Sequence, residues 1–195
     1  MPSNYTAFAG SKRIASGPPE QVALVVKAAL DANGERQLLV FDDINGGLVD
    51  FDLRGTPEEI LARLVSEPAP DRSGEPPRGP GRPKLGVVAR EVTLLPRHWD
   101  WLNAQPGGAS VALRKLVEAA RATHAGADRR RLAQQSADRF MAALAGNEPG
   151  YEEASRALYS GDRVRFEEAM ATWPADVRSY ARHLSTASFD DGGRE

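Results

Sequence analysis

The apolar residues of this chain change their spacing twice. Up to Val65 they sit mostly in short runs broken by one helical stretch, from Ser66 to Gly86 they nearly vanish, and beyond that they recur at intervals of three and four. TAFAG and KRIASG read as two short strands around Gly10 and Ser11. In PEQVALVVKAAL a proline opens a helix whose Val22, Val25, Val26 and Ala29 share one face. QLLVFDDINGGLVDFDLRG places Asn45-Gly46 between two apolar-rich runs, which signals a hairpin. With Asn45 and Gly46 at the centre of a two-residue turn, Val40 opposes Phe51 and Leu38 opposes Leu53, leaving Asp43, Asp50 and Asp52 on the other face. TPEEILARLV carries Thr56 as N-cap, Pro57 in the first turn and Glu59 at the capping-box position. Together these predict a small ββαββα domain over residues 1–65 with its helices on the apolar face.

Residues 66–86 hold ten Pro or Gly in 21 positions, too many for a core or regular structure, so they are expected to be an extended linker. After it, a β-prone run from Glu91 to Leu95 stops at Pro96, and a short helix follows with Trp99 and Leu102 three apart. QPGG breaks that helix, and Ser110 is placed to cap a second one with Leu113, Leu116, Val117 and Ala120 as its stripe. Residues 87–125 thus form a strand-helix-helix unit. Beyond, four short stripes predict a helical bundle over 126–187: Ala133 to Leu144, Tyr151 to Leu158, Phe166 to Trp173, and Val177 to Leu184. Residues 188–195 read as a disordered tail. The fold class expected is α+β.

Charge sharpens this picture by segment. The whole chain has a net charge of −2, which favours no partner class. Residues 1–65 hold six Lys/Arg and nine Asp/Glu, residues 66–125 nine and six, and residues 126–195 ten and twelve. Only the middle is basic, at +3, a value an ordinary solvated surface also reaches. Its folded part is opened by RGPGRPKLG, residues 78–86.

Candidate enzyme chemistry is thin. The chain has no cysteine, which removes disulfides, thiolate zinc sites and cysteine nucleophiles. His98, His124 and His183 lie in three different elements without metal spacing. Asp42, Asp43, Asp50 and Asp52 form the densest carboxylate cluster and suggest at most a weak Mg²⁺ or Ca²⁺ alternative, since they match no EF-hand loop. No Walker A loop, GxGxxG or GxSxG is present. No catalytic residue, metal ligand or cofactor is therefore assigned. MPSNYTAFAGSKRIASG has no long apolar run and no segment approaches a membrane span, so a cytoplasmic protein is expected. Trp99 and Trp173 fall on apolar stripes and are expected in cores, while Trp101 falls off its stripe and is expected at the surface.

Strand, helix, glycine turn and helix resemble a ribbon-helix-helix DNA-binding unit, in which two chains pair their strands into a ribbon that enters the major groove. The resemblance implies groove contacts from Arg90 and Thr93, a phosphate at the second helix's N-terminus near Gly108 and Ser110, and further contacts from Arg114 and Lys115. It departs from the usual pattern at Glu91. The register that buries Leu94 with Trp99 and Leu102 sends Thr93, Glu91 and Ala89 to the groove, with Glu91 toward the phosphates, and the other register sends Leu94, Val92 and Arg90 there. Pro80-Gly81-Arg82-Pro83-Lys84 resembles an AT-hook with its first arginine replaced by Pro80, and Arg78 two residues early. A basic arm of Arg78, Arg82 and Lys84 ahead of such a unit follows the plan of a minor-groove arm joined to a groove reader. The expected function is a non-enzymatic DNA-binding transcriptional regulator acting as a homodimer. The alternative is a protein-interaction module with no DNA binding, in which the central helices dock a partner or pack on their own bundle.

Three longer phrases, LVFDDINGGLVDFDLRG, GRPKLGVVAREVTLLPRHWDWLNAQPGGASVALRKLVEAAR and NEPGYEEASRALYSGDRVRFEEAMATWPADVRSYARHL, are similar to the bacterial domain-of-unknown-function family 2239 over nearly the full length. That resemblance implies a bacterial cytoplasmic protein whose regions belong together. It implies no activity.

Overall fold

A computed structural model of the chain describes residues 4–32, 37–66 and 90–190. The fold is α+β. It divides into two units: Met1–Pro68 with Gly126–Glu195, and Ala69–Ala125.

The first unit opens on β1 (Tyr5–Ala9) and β2 (Lys12–Gly17), joined at Gly10 with φ +58°. Helix α1 (Pro19–Ala32) starts on its proline, and β3 (Leu38–Asp42) and β4 (Leu48–Val49) complete an antiparallel sheet in the order β2-β1-β3-β4. Helix α2 (Pro57–Ser66) is closed by the expected capping box. The Thr56 amide donates to Glu59 Oε2 at 2.9 Å, and the Glu59 amide donates to Thr56 Oγ1 at 3.4 Å.

The hairpin differs from its expected register. Val40 pairs with Val49, not Phe51, and β4 is only two residues long. The cause is the turn. The Gly46 amide donates to the Asp42 carbonyl and the Asp42 amide to the Gly47 carbonyl, which makes a four-residue loop of Asp43–Gly46. The Asp42 carboxylate accepts from the amides of Ile44 and Asn45, and Asn45 Oδ1 accepts from the Gly47 amide, so side chains take over the turn's free donors. The shift is two residues, so the faces are preserved: Leu38, Val40, Phe51 and Leu53 still line one side, with Ala7, Val22 and Val26.

The other face of the sheet holds the larger surprise. Phe8 and Phe41 are fully buried there, against the segment expected to be a separate bundle. That segment consists of the end of α4 (Gly108–Leu144), α5 (Tyr151–Ser160), α6 (Arg163–Ala169) and α7 (Ala175–Ser185). Phe140 lies 5.5 Å from Phe8 and 4.9 Å from Phe41 between ring centroids, and Tyr180 lies 4.7 Å from Phe140. The stretches expected as two domains, 1–65 and 126–187, thus share one core, with α1 on one side of the sheet and α4 to α7 on the other. Asp43 does not lie on an open face. It accepts from Tyr180 Oη at 2.6 Å and from Thr6 Oγ1 at 2.8 Å. Burial, with Asp43 as acceptor, pushes the Tyr180 phenol well above its ordinary pKa.

Glycine 46 shows how closely the layers meet. Its φ is +64°, and a Cβ there would overlap the carbonyl of Ser136 on α4. Ser136 Oγ donates to the Ile44 carbonyl at 3.1 Å and Arg139 to the Asn45 carbonyl at 2.9 Å, so the turn is fastened to the helix.

Two further expectations are corrected. The second helix of the central unit and the first of the bundle are one helix, α4, of 37 residues. No proline interrupts 108–144, and Gly126 alone, amid alanine and arginine, does not stop a helix. Of the expected tail over 188–195, Ser188 is buried and Phe189 packs on Phe166 at 5.2 Å, and residues 191–195 lie outside the described residues. Among the described residues no helix is long and apolar enough to cross a membrane.

Candidate nucleic-acid interface

The second unit carries all the sequence-predicted site residues. Arg78, Arg82 and Lys84 of the arm lie outside the described residues, as does the expected linker except Ser66, which ends α2. Description resumes at Arg90. Residues 90–95 have no strand partner among the described residues. In the unit that the sequence resembles, the strand's ladder is made with a second chain's strand. Leu95 is nonetheless extended, with φ −66° and ψ 149°, and Leu94 is the half-buried residue of the run while Glu91, Val92, Thr93 and Leu95 are exposed. Leu94 thus faces inward, but Val92, which would share its face in the register that buries Leu94, is 55% exposed.

Helix α3 (Pro96–Asn103) begins at its proline and buries Leu102, with Trp99 half-buried. Its end is a double glycine turn. The Gln105 amide donates to the Leu102 carbonyl and the Gly108 amide to the Gln105 carbonyl. Gly107 and Gly108 take φ +86° and +73°, which residues with a Cβ rarely adopt, and so the chain reverses into α4.

Helix α4 starts at Gly108, two residues before the predicted cap. Ser110 is therefore inside the first turn and not at the N-cap. The Gly108 amide is already committed to Gln105, so an anion at this helix end would meet the amides after it. The first turn carries no acidic residue that would compete with such an anion. Arg114 Nε donates to the Ser110 carbonyl at 3.2 Å, which holds its guanidinium beside the first turn. Lys115 is exposed on the rim of a groove of about 200 Å³ lined by Trp101, Gln105, Pro106, Ala112 and Leu116. Gly108, Ser110, Arg114 and Lys115 are thus gathered at one helix end. Arg90 and Thr93 are exposed, and no hydrogen bond or ion pair among the described residues ties them to α4.

Two further cations lie in this unit: Arg97, which has no sequence motif around it, and Arg121, which falls off the apolar stripe with Arg114 and Lys115. Arg97 is exposed in the first turn of α3, and Arg121 pairs with Glu118 at 3.1 Å on α4. From Arg90 to Ala125 the unit holds five Lys/Arg and three Asp/Glu.

The hairpin aspartates do not assemble a rival site. Asp52 is held by both Nε and Nη2 of Arg54 at 2.8 Å, and these bonds pull its carboxyl well below the ordinary range. Asp42 serves the turn and Asp43 the tyrosine. Among the described residues no group of three or more His, Cys, Asp or Glu could hold a metal ion.

No curated protein and no solved structure matches the chain. The model of the family DUF2239, described as an uncharacterized protein conserved in bacteria, matches residues 4–185, and the chain belongs to that family.

Proposed function

We propose that the chain is a non-enzymatic DNA-binding protein, a transcriptional regulator whose second unit meets the duplex. One observation carries the reading. Residues 90–95 lead into a helical hairpin whose second helix presents an acid-free N-terminus with Ser110, Arg114 and Lys115 beside it. Free amides, the helix dipole and clustered cations together favour a backbone phosphate. Thr93 would face the groove with Glu91 beside it limiting affinity, and Arg90, exposed on the alternate face, would reach a flanking phosphate. The arm residues Arg78, Arg82 and Lys84 would add minor-groove and phosphate contacts.

The test is fluorescence anisotropy of the full chain with labelled random-sequence and A·T-rich duplexes at two salt concentrations. Salt-sensitive binding that favours the A·T duplex is expected. Arg82→Ala with Lys84→Ala should shallow the salt slope, by up to about two phosphate contacts. Unchanged binding in that variant would remove the arm from the mechanism, and no binding by the intact chain even at low salt would sink the proposal.

The second reading, a protein-interaction module, is favoured by Trp101, which is 53% exposed on the rim of the α3–α4 groove. Partner capture that survives deletion of residues 66–86, by a chain without DNA affinity, would select it.

A further inference from the structure

We draw no further inference here: the strongest candidate, the apolar groove of about 420 Å³ between α1 and the β3–β4 edge of the sheet, carries nothing because its one ionisable lining residue, Asp50, is exposed and nothing in the structure shows what covers the groove.

Discussion

The two units treat the same kind of helix in opposite ways. In the first, α4 turns Ala137, Phe140 and Met141 into a core where each is fully buried. In the second, the earlier turns of the same helix leave Leu116 and Val117 half in solvent. Both stretches have amphipathic spacing, so periodicity alone does not tell a buried stripe from a waiting one. What differs is the other wall. The first unit offers a sheet face carrying Phe8 and Phe41, and the second offers one short helix whose buried residue is Leu102. Substantial stability should therefore lie in the first unit.

The strongest way to break that contrast is to open the shared core. Phe140→Ala removes a ring packed on Phe8, Phe41 and Tyr180. It should lower global stability by about 3–5 kcal/mol, read by chemical denaturation. A loss near 1 kcal/mol would mean that sheet and helices are less tightly joined than this core implies.

The next test addresses how the hairpin is fastened to the helix. Gly46→Ala forces a side chain into positive φ and toward the Ser136 carbonyl. A loss of roughly 1–3 kcal/mol is expected, with the N-terminal sheet losing hydrogen-exchange protection first. Wild-type stability would show that the turn moves off α4 at little cost.

These layers also show what the sequence could and could not reveal. The capping box at Thr56 and Glu59 and the stripes ending at Trp173 and Leu184 depend on neighbours a few residues away, and they were legible. The two-sided burial of the sheet depends on helices about a hundred residues further on. Its signal was present in Leu38-Leu39-Val40-Phe41, an unbroken apolar run where a one-faced strand would alternate. The four-residue turn escaped because Asp42 and Asn45 bond to the backbone, a choice that the Asn-Gly pair alone does not disclose. At the candidate interface, Pro96 and the glycine pair placed the helical hairpin. A Ser110 cap would start α4 at Val111, three residues late, because Gly108, a poor helix former, is its first residue.

A smaller effect with a pH signature comes from Tyr180. Tyr180→Phe removes a 2.6 Å donor to Asp43 from a buried position and should cost about 1–2 kcal/mol. The folded phenol has its pKa raised, because burial and the aspartate both disfavour phenolate. The stabilising contribution is therefore fully present below the unfolded value, near pH 10, and is lost as pH climbs above it. Denaturation at rising alkaline pH should show that loss in the wild type, and Tyr180→Phe should lack this part of it.

The smallest expected effect has the opposite sign and lies where the two behaviours of α4 meet. Gly126 is helical and exposed, with no atom within 4 Å of where a Cβ would stand. Gly126→Ala should stabilise the helix by about 0.5–1 kcal/mol, since alanine loses less backbone entropy and fits the space. Where the gain appears is the informative part. If the first half of α4 opens independently of the core, exchange should slow at the amides around 113–125 while the global midpoint hardly moves. If the gain appears in full at the global midpoint, the helix unfolds as one piece. The bare stripe would then be held in register by the same cooperative unit that buries Phe140, and the contrast between the halves would be one of surface alone.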